Sequence, residues 1–126
     1  MKKTILGIVI LALVVIAIVL SQIYAHSVIN DFSTLAAETL NCVRSGEFDT
    51  AKEDINNLIE MYNEKSDVLA TFILHDKLDN IDSQLYRVAA YIDAKESSEA
   101  SSMLLGIMKE LETMEANEKF ALENIL

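Results

Sequence analysis

Sixteen uncharged residues, Ile5 to Leu20, follow Met1-Lys2-Lys3-Thr4, and the next charge after Lys3 is Asp31. A helix that crosses a bilayer needs about 20 predominantly apolar residues. Thr4 at one end and Ser21-Gln22-Ile23-Tyr24-Ala25 at the other bring the uncharged segment to that length. Residues 4–25 are therefore expected to contact the lipid bilayer as a single span. Basic residues stay on the cytoplasmic side, so Lys2 and Lys3 predict a cytoplasmic N-terminus and an extracytoplasmic body. A signal peptide has the same basic start and apolar centre and would leave a secreted body after cleavage. Against cleavage, no A-x-A triplet follows the apolar core, and a cut after Ala25 would put Ile23 where a small residue is preferred. The expected organisation is an anchor over 1–25 and a body over 26–126.

Removing Lys2 and Lys3 from the ten basic residues leaves eight against twenty acidic ones, so the body carries a formal charge of −12. That surface repels phosphate backbones, and nucleic acid is not an expected partner. Cys42 is the single cysteine, so no internal disulfide exists and packing alone must hold the body together. Beside Val43, it reads as a small core side chain, with pairing of two protomers as the alternative. Roughly 100 residues suffice for one small core.

The chain has no proline and only three glycines, which removes the usual breakers and leaves helix as the default. Val28, Phe32, Leu35, Thr39 and Val43 step by three or four and give the first helix an apolar stripe continuing from the span. Gly46 suits a helix end, after which Asp49 or Thr50 is expected to cap a second helix with Ala51, Ile55, Leu58 and Tyr62 inward. Asn63-Glu64-Lys65-Ser66 reads as the next weak point, with Ser66 or Asp67 starting a third helix or the second continuing with a bend. Leu74, Leu78, Ile81, Leu85, Val88 and Ile92 then keep a bundle-seam register. Ser97 or Ser98 is the expected cap of a last helix that turns Leu104, Ile107, Leu111, Met114, Ala121 and Ile125 inward. Met103, Met108 and Met114 read as core filling, and Glu110, Glu112, Glu115, Glu118 and Glu123 as a solvated face.

A shift of 49 residues superimposes the first helix pair on the second. It pairs His26 with His75, Phe32 with Ile81, Ala36 with Leu85, Val43 with Ile92, Ile55 with Leu104 and Tyr62 with Leu111. Because the shift is a whole multiple of seven, duplication and a shared heptad register both account for it. The fold class predicted is all-α: an N-terminal transmembrane helix, then an antiparallel bundle of two stacked hairpins over about 26–65 and 66–126.

Polar chemistry clusters on one stripe of the third helix, where His75, Asp79, Asp82 and Tyr86 recur at four, three and four. An imidazole and two carboxylates make His75, Asp79 and Asp82 candidate metal ligands, with His26 and Asn30 as possible contributors from the first helix. The plainer reading is a polar layer in which His75 bonds Asp79 and the Tyr86 ring packs. The sequence has no phosphate-binding glycine loop, nucleophile motif or H-E-x-x-H, and neither an enzymatic activity nor a cofactor is expected.

One short span, then His75-Asp76-Lys77-Leu78-Asp79-Asn80-Ile81, Tyr91-Ile92-Asp93, and Glu118 through Leu122-Glu123-Asn124-Ile125, resembles a family of small uncharacterised single-span membrane proteins. They come from spore-forming Gram-positive bacteria and are grouped by a domain of unknown function. The resemblance covers nearly the whole chain; a tryptophan expected near Thr71-Phe72 is missing. It implies an outward-facing helical protein in which the His-x-x-Leu-Asp segment and the terminal Leu-x-Asn-Ile segment matter. His75, Asp79, Asp82, Tyr86, Leu122, Asn124 and Ile125 are thus the expected interaction residues. The function expected is a scaffold or adaptor that binds an envelope protein or itself. A cation-binding or small-ligand-sensing bundle is the alternative.

Overall fold

The computed structural model describes the backbone of residues 1–70 and 75–125, and the side chains of residues 1–67 and 79–114. Four helices pack together, α1 Lys2–Arg44, α2 Phe48–Ala70, α3 His75–Asp93 and α4 Ser97–Ile125, with no strand among the described residues. α1 packs against α2 and α4, and α3 packs against the same two helices.

α1 is one unbroken helix of 43 residues, about 65 Å long at 1.5 Å per residue. Its two halves differ completely in environment. The apolar side chains from Ile5 to Leu20 are exposed, and the first buried residue is Ala25. By length and composition, this N-terminal part can cross a membrane. From Ala25 onward the helix buries Val28, Ile29, Phe32, Ala36, Thr39, Leu40 and Val43. The stripe expected from sequence was too narrow: Leu35 is only partly buried, while Ile29, Ala36 and Leu40 are core. The reason is that α1 meets two neighbours, which widens its buried face beyond one seam.

The core is otherwise built as the periodicity predicts. Ile55, Leu58, Leu85, Leu104 and Ile107 are fully buried, each contributing about 1.5–3 kcal/mol of apolar transfer free energy. Ile81, Val88, Ile92, Leu111 and Met114 complete it, and Met103 and Met108 pack partly buried against it. Leu74, Leu78, Ala121 and Ile125 lie outside the described side chains. Among the described residues the one buried polar residue, Thr39, donates its hydroxyl to the Leu35 carbonyl (2.9 Å).

The two described connections are alike. Ser45, Gly46 and Glu47 donate N–H groups to the carbonyls of Asn41 (3.0 Å), Val43 (3.2 Å) and Cys42 (2.9 Å). Forty-nine residues later, Ala94, Lys95 and Glu96 do the same to Ala90 (3.0 Å), Ile92 (3.0 Å) and Tyr91 (2.8 Å). Both are Schellman closures, in which one residue takes the left-handed conformation so that two orphan carbonyls are satisfied. That residue is Gly46 (φ 76°) in the first turn and Lys95 (φ 57°) in the second. Gly46→Ala should cost about 1 kcal/mol from left-handed strain alone, because a Cβ there would meet nothing within 4 Å. Lys95→Gly should gain up to about 0.5 kcal/mol, strain relief being partly offset by the entropy of an unfolded glycine. Denaturant unfolding of the full chain in mild detergent, followed by circular dichroism, checks both signs. A stabilising Gly46→Ala would refute this account of the turn.

Three expectations are corrected here. Ala51 and Ala100 donate N–H groups to the Glu47 and Glu96 carbonyls, so α2 and α4 begin before the predicted caps. Asp49 and Thr50 therefore lie inside the first turn of α2, where Asp49 complements the helix dipole. Ser97 caps nothing of its own; its hydroxyl donates to the Val43 carbonyl (3.2 Å), tying the second turn to the end of α1. Finally, a third helix starting at Ser66 or Asp67 is overturned and the other reading, continuation, holds: α2 runs through Asn63–Ser66 to Ala70. Ser66 donates to the Asn63 carbonyl (3.1 Å) within the helix, and Lys65 donates to Tyr24 Oη (3.0 Å) on α1. Polarity alone does not break a helix when strong helix formers such as Glu64 and Lys65 continue it.

Candidate interaction face on the third and fourth helices

Asp79, Asp82 and Tyr86 do share a side of α3, and the structure shows that they serve different environments. Asp79 and Tyr86 are exposed, Tyr86 at 54%, whereas Asp82 is half-buried. Asp82 Oδ1 is shielded from solvent without a hydrogen-bond partner among the described residues. Opposite them on α2 stands the buried Tyr62, whose ring meets Phe32 edge to face at 6.0 Å between centroids and 61° between planes. Burial pushes the Tyr62 phenol well above its ordinary range, and the negative charges of Asp82, Asp79 and Glu110 push it further. The phenol is neutral at any physiological pH. A polar layer thus crosses the bundle at this level, but the Tyr86 ring is exposed rather than packed, and the expected His75–Asp79 bond lies outside the described residues. Glu110, expected on a solvated face, is half-buried and belongs to this layer.

Among the described residues, no group of three or more His, Cys, Asp or Glu side chains converges as a metal site would require. His26 and Asn30 are exposed on α1. His75 is the first residue of α3, and Leu122, Asn124 and Ile125 fall in the last turns of α4; their side chains lie outside the described residues. Cys42 is half-buried rather than core, and its thiol donates to Asp54 Oδ2 (3.6 Å). Burial first, then the bond to Asp54 and its charge, raise the thiol above its usual range, so it stays protonated and unreactive near neutral pH.

Sequence reasoning missed a second feature, on the other flank of α3. An open groove of about 520 Å³ runs between α3 and α4, lined by Gln84 and Tyr91 of α3 and by Ser98, Glu99, Ser102, Met103 and Gly106 of α4. Ser98, Ser102 and Gly106 repeat every four residues, so one face of α4 lacks side-chain bulk, and a Cβ on Gly106 would meet nothing within 4 Å. Gln84 Oε1 is shielded from solvent and unpartnered among the described residues. Outside α1, the large apolar side chains left exposed among the described residues are Tyr86 and Leu105 (45%), one on each helix of this pair. The small-residue spacing on α4 was the available signal; it is recognisable only once the neighbouring helix is known.

A family model described as a domain of unknown function, DUF4363, matches residues 19–125. No curated protein and no solved structure matches the chain.

Proposed function

Since the chain belongs to the DUF4363 family, a domain of unknown function, we propose from its geometry that it is a non-enzymatic, membrane-anchored adaptor. In this reading residues 4–25 cross the membrane with the N-terminus inside, and the body outside binds another envelope protein through α3 and α4. The observation that carries the reading is the open α3–α4 groove, in which Tyr91 and Met103 stand beside the small residues Ser98, Ser102 and Gly106. Aromatic side chains around a recess are what a binding hot spot is made of. The partner expected is basic and rich in hydrogen-bond donors. A body of charge −12 repels its own copies, and the exposed Glu99 of the groove offers a carboxylate to such a surface.

The body is read as two stacked helical hairpins. Contacts support this: Cys42–Asp54, Phe32–Tyr62 and Tyr24–Lys65 descend α1 as they ascend α2. The turns and core positions recur at the 49-residue shift found in the sequence.

The test places a photocrosslinking amino acid at Ser98, and separately at Ser102, both exposed in the groove, in the full chain in its native membranes. The expected result is one adduct heavier than the chain by the mass of a distinct envelope protein. An adduct of twice the chain mass would replace the hetero-partner with self-association, and no adduct at either position would end the adaptor reading.

A further inference from the structure

Tyr24 stands about 30 Å along α1 from Thr4, the thickness of a hydrocarbon core, so a retained span brings its ring to the outer headgroup layer, where tyrosine settles. The partner of that ring comes from the body. Lys65, on α2, donates from Nζ to Tyr24 Oη (3.0 Å) and holds its ammonium 5.6 Å from the ring centroid. This contact uses one of the three ammonium donors, and the Tyr24 hydroxyl, as its acceptor, keeps a proton to donate. Two donors, one of them charged, therefore stand side by side at the end of the span. The bond to Tyr24 first, then the charges of Glu64 and Asp31, raise the Lys65 ammonium above its ordinary range and keep it charged. Glu64 precedes Lys65 in α2, and Asp31 lies about two turns beyond Tyr24 on the same side of α1; both are exposed. Arg44, Lys52 and Lys95 sit instead near the two turns at the far end of the bundle.

We propose that Tyr24 and Lys65 bind the phosphodiester of a zwitterionic lipid of the outer leaflet, with Asp31 and Glu64 drawing its ammonium group. The inference rests on the anchor being retained, as in the reading above. Lysine binds phosphate as a compact point charge, and the phenol adds a directed hydrogen bond that an ionised acceptor strengthens. Lipid is favoured over free phosphate because the pair closes an exposed apolar stretch of α1 that runs from Ile5 to Leu20 and includes Ile23, where headgroups are already concentrated. Two carboxylates near a single ammonium disfavour an anionic headgroup and suit one that brings its own positive charge. Because one donor belongs to α1 and the other to α2, the bound lipid fastens the body to the rim of its own span.

The intact mass of protein taken from its native membranes comes first: a chain lacking residues 1–25 has lost Tyr24, and the anchor reading and this inference fall together. On the full chain, delipidated in mild detergent, native mass spectrometry then follows adducts with phosphatidylethanolamine, phosphatidylglycerol, diacylglycerol and inorganic phosphate. Phosphatidylethanolamine should give the strongest adduct, with one lipid per chain. Tyr24→Phe combined with Lys65→Gln should weaken that adduct about tenfold, the equivalent of one charge-assisted hydrogen bond. Lys65→Arg should keep it, and Lys52→Gln, which removes a cation at the far end, should leave it unchanged. If the double variant retains phosphatidylethanolamine as the parent does, or if diacylglycerol binds as well, the site is refuted while the anchor survives. Preference for phosphatidylglycerol or for inorganic phosphate would equally overturn a zwitterionic lipid as the ligand. Tyr24→Phe alone, which removes only the hydroxyl, repeats the comparison should the double variant fail to fold.

Discussion

Leu85→Asp abolishes the cooperative melting of the helical body, the largest effect expected of any single change in the described core. Leu85 is fully buried on α3, with Ile81, Val88 and Ile92 on the same seam. The substitution removes the apolar transfer term and places a carboxylate in the apolar cluster. An unpaired charge of this kind costs more than about 4 kcal/mol, against a total stability of about 5–15 kcal/mol for a domain. Leu85→Ala, which leaves only a cavity, should cost about 2–5 kcal/mol and still melt cooperatively. Glu112→Ala, at an exposed position of α4, should stay within about 0.5 kcal/mol of the parent. Circular dichroism melts of the three variants decide the matter: similar behaviour of Leu85→Asp and Glu112→Ala would mean that the register of the bundle is wrong.

The second large effect concerns the exposed half of α1. Leu11→Asp combined with Val15→Asp should release the chain from the membrane fraction on alkaline extraction. Each carboxylate near the centre of a span costs about 3–4 kcal/mol once the lost apolar side chain is included. Both positions are exposed along a stretch that buries nothing in the body, so the fold itself should be spared. The intact mass of the unmodified protein from the same membranes supplies the second readout. A mass lacking residues 1–25, or a double variant that stays in the membrane fraction, would overturn the anchor.

Much of the fold is legible in the chain because its signals are local and repeated. An unbroken apolar run, the absence of proline and a steady three-four spacing specify helices and their inward faces, and Ile55, Leu58, Leu85, Leu104 and Ile107 follow that spacing into the core. The errors have one cause. Helix ends and face widths depend on what a helix touches: Ser97 reaches across to Val43 instead of capping α4, Lys65 holds α2 against Tyr24 past a polar stretch, and α1 buries Ile29, Ala36 and Leu40 because two helices cover it. The candidate site divides in the same way. The stripe of Asp79, Asp82 and Tyr86 is visible from spacing, but the unequal exposure of its members and their action on Tyr62 are not.

The sequence by itself determined that this chain is helical, acidic outside its first 25 residues and able to cross a membrane once, since composition and periodicity are properties of single elements. Only the tertiary structure decided that two neighbours widen the buried face of α1, that Lys95 repeats the left-handed turn of Gly46, and that a groove opens between α3 and α4. These depend on which surfaces meet, and a helical period says which face is buried without saying what it is buried against.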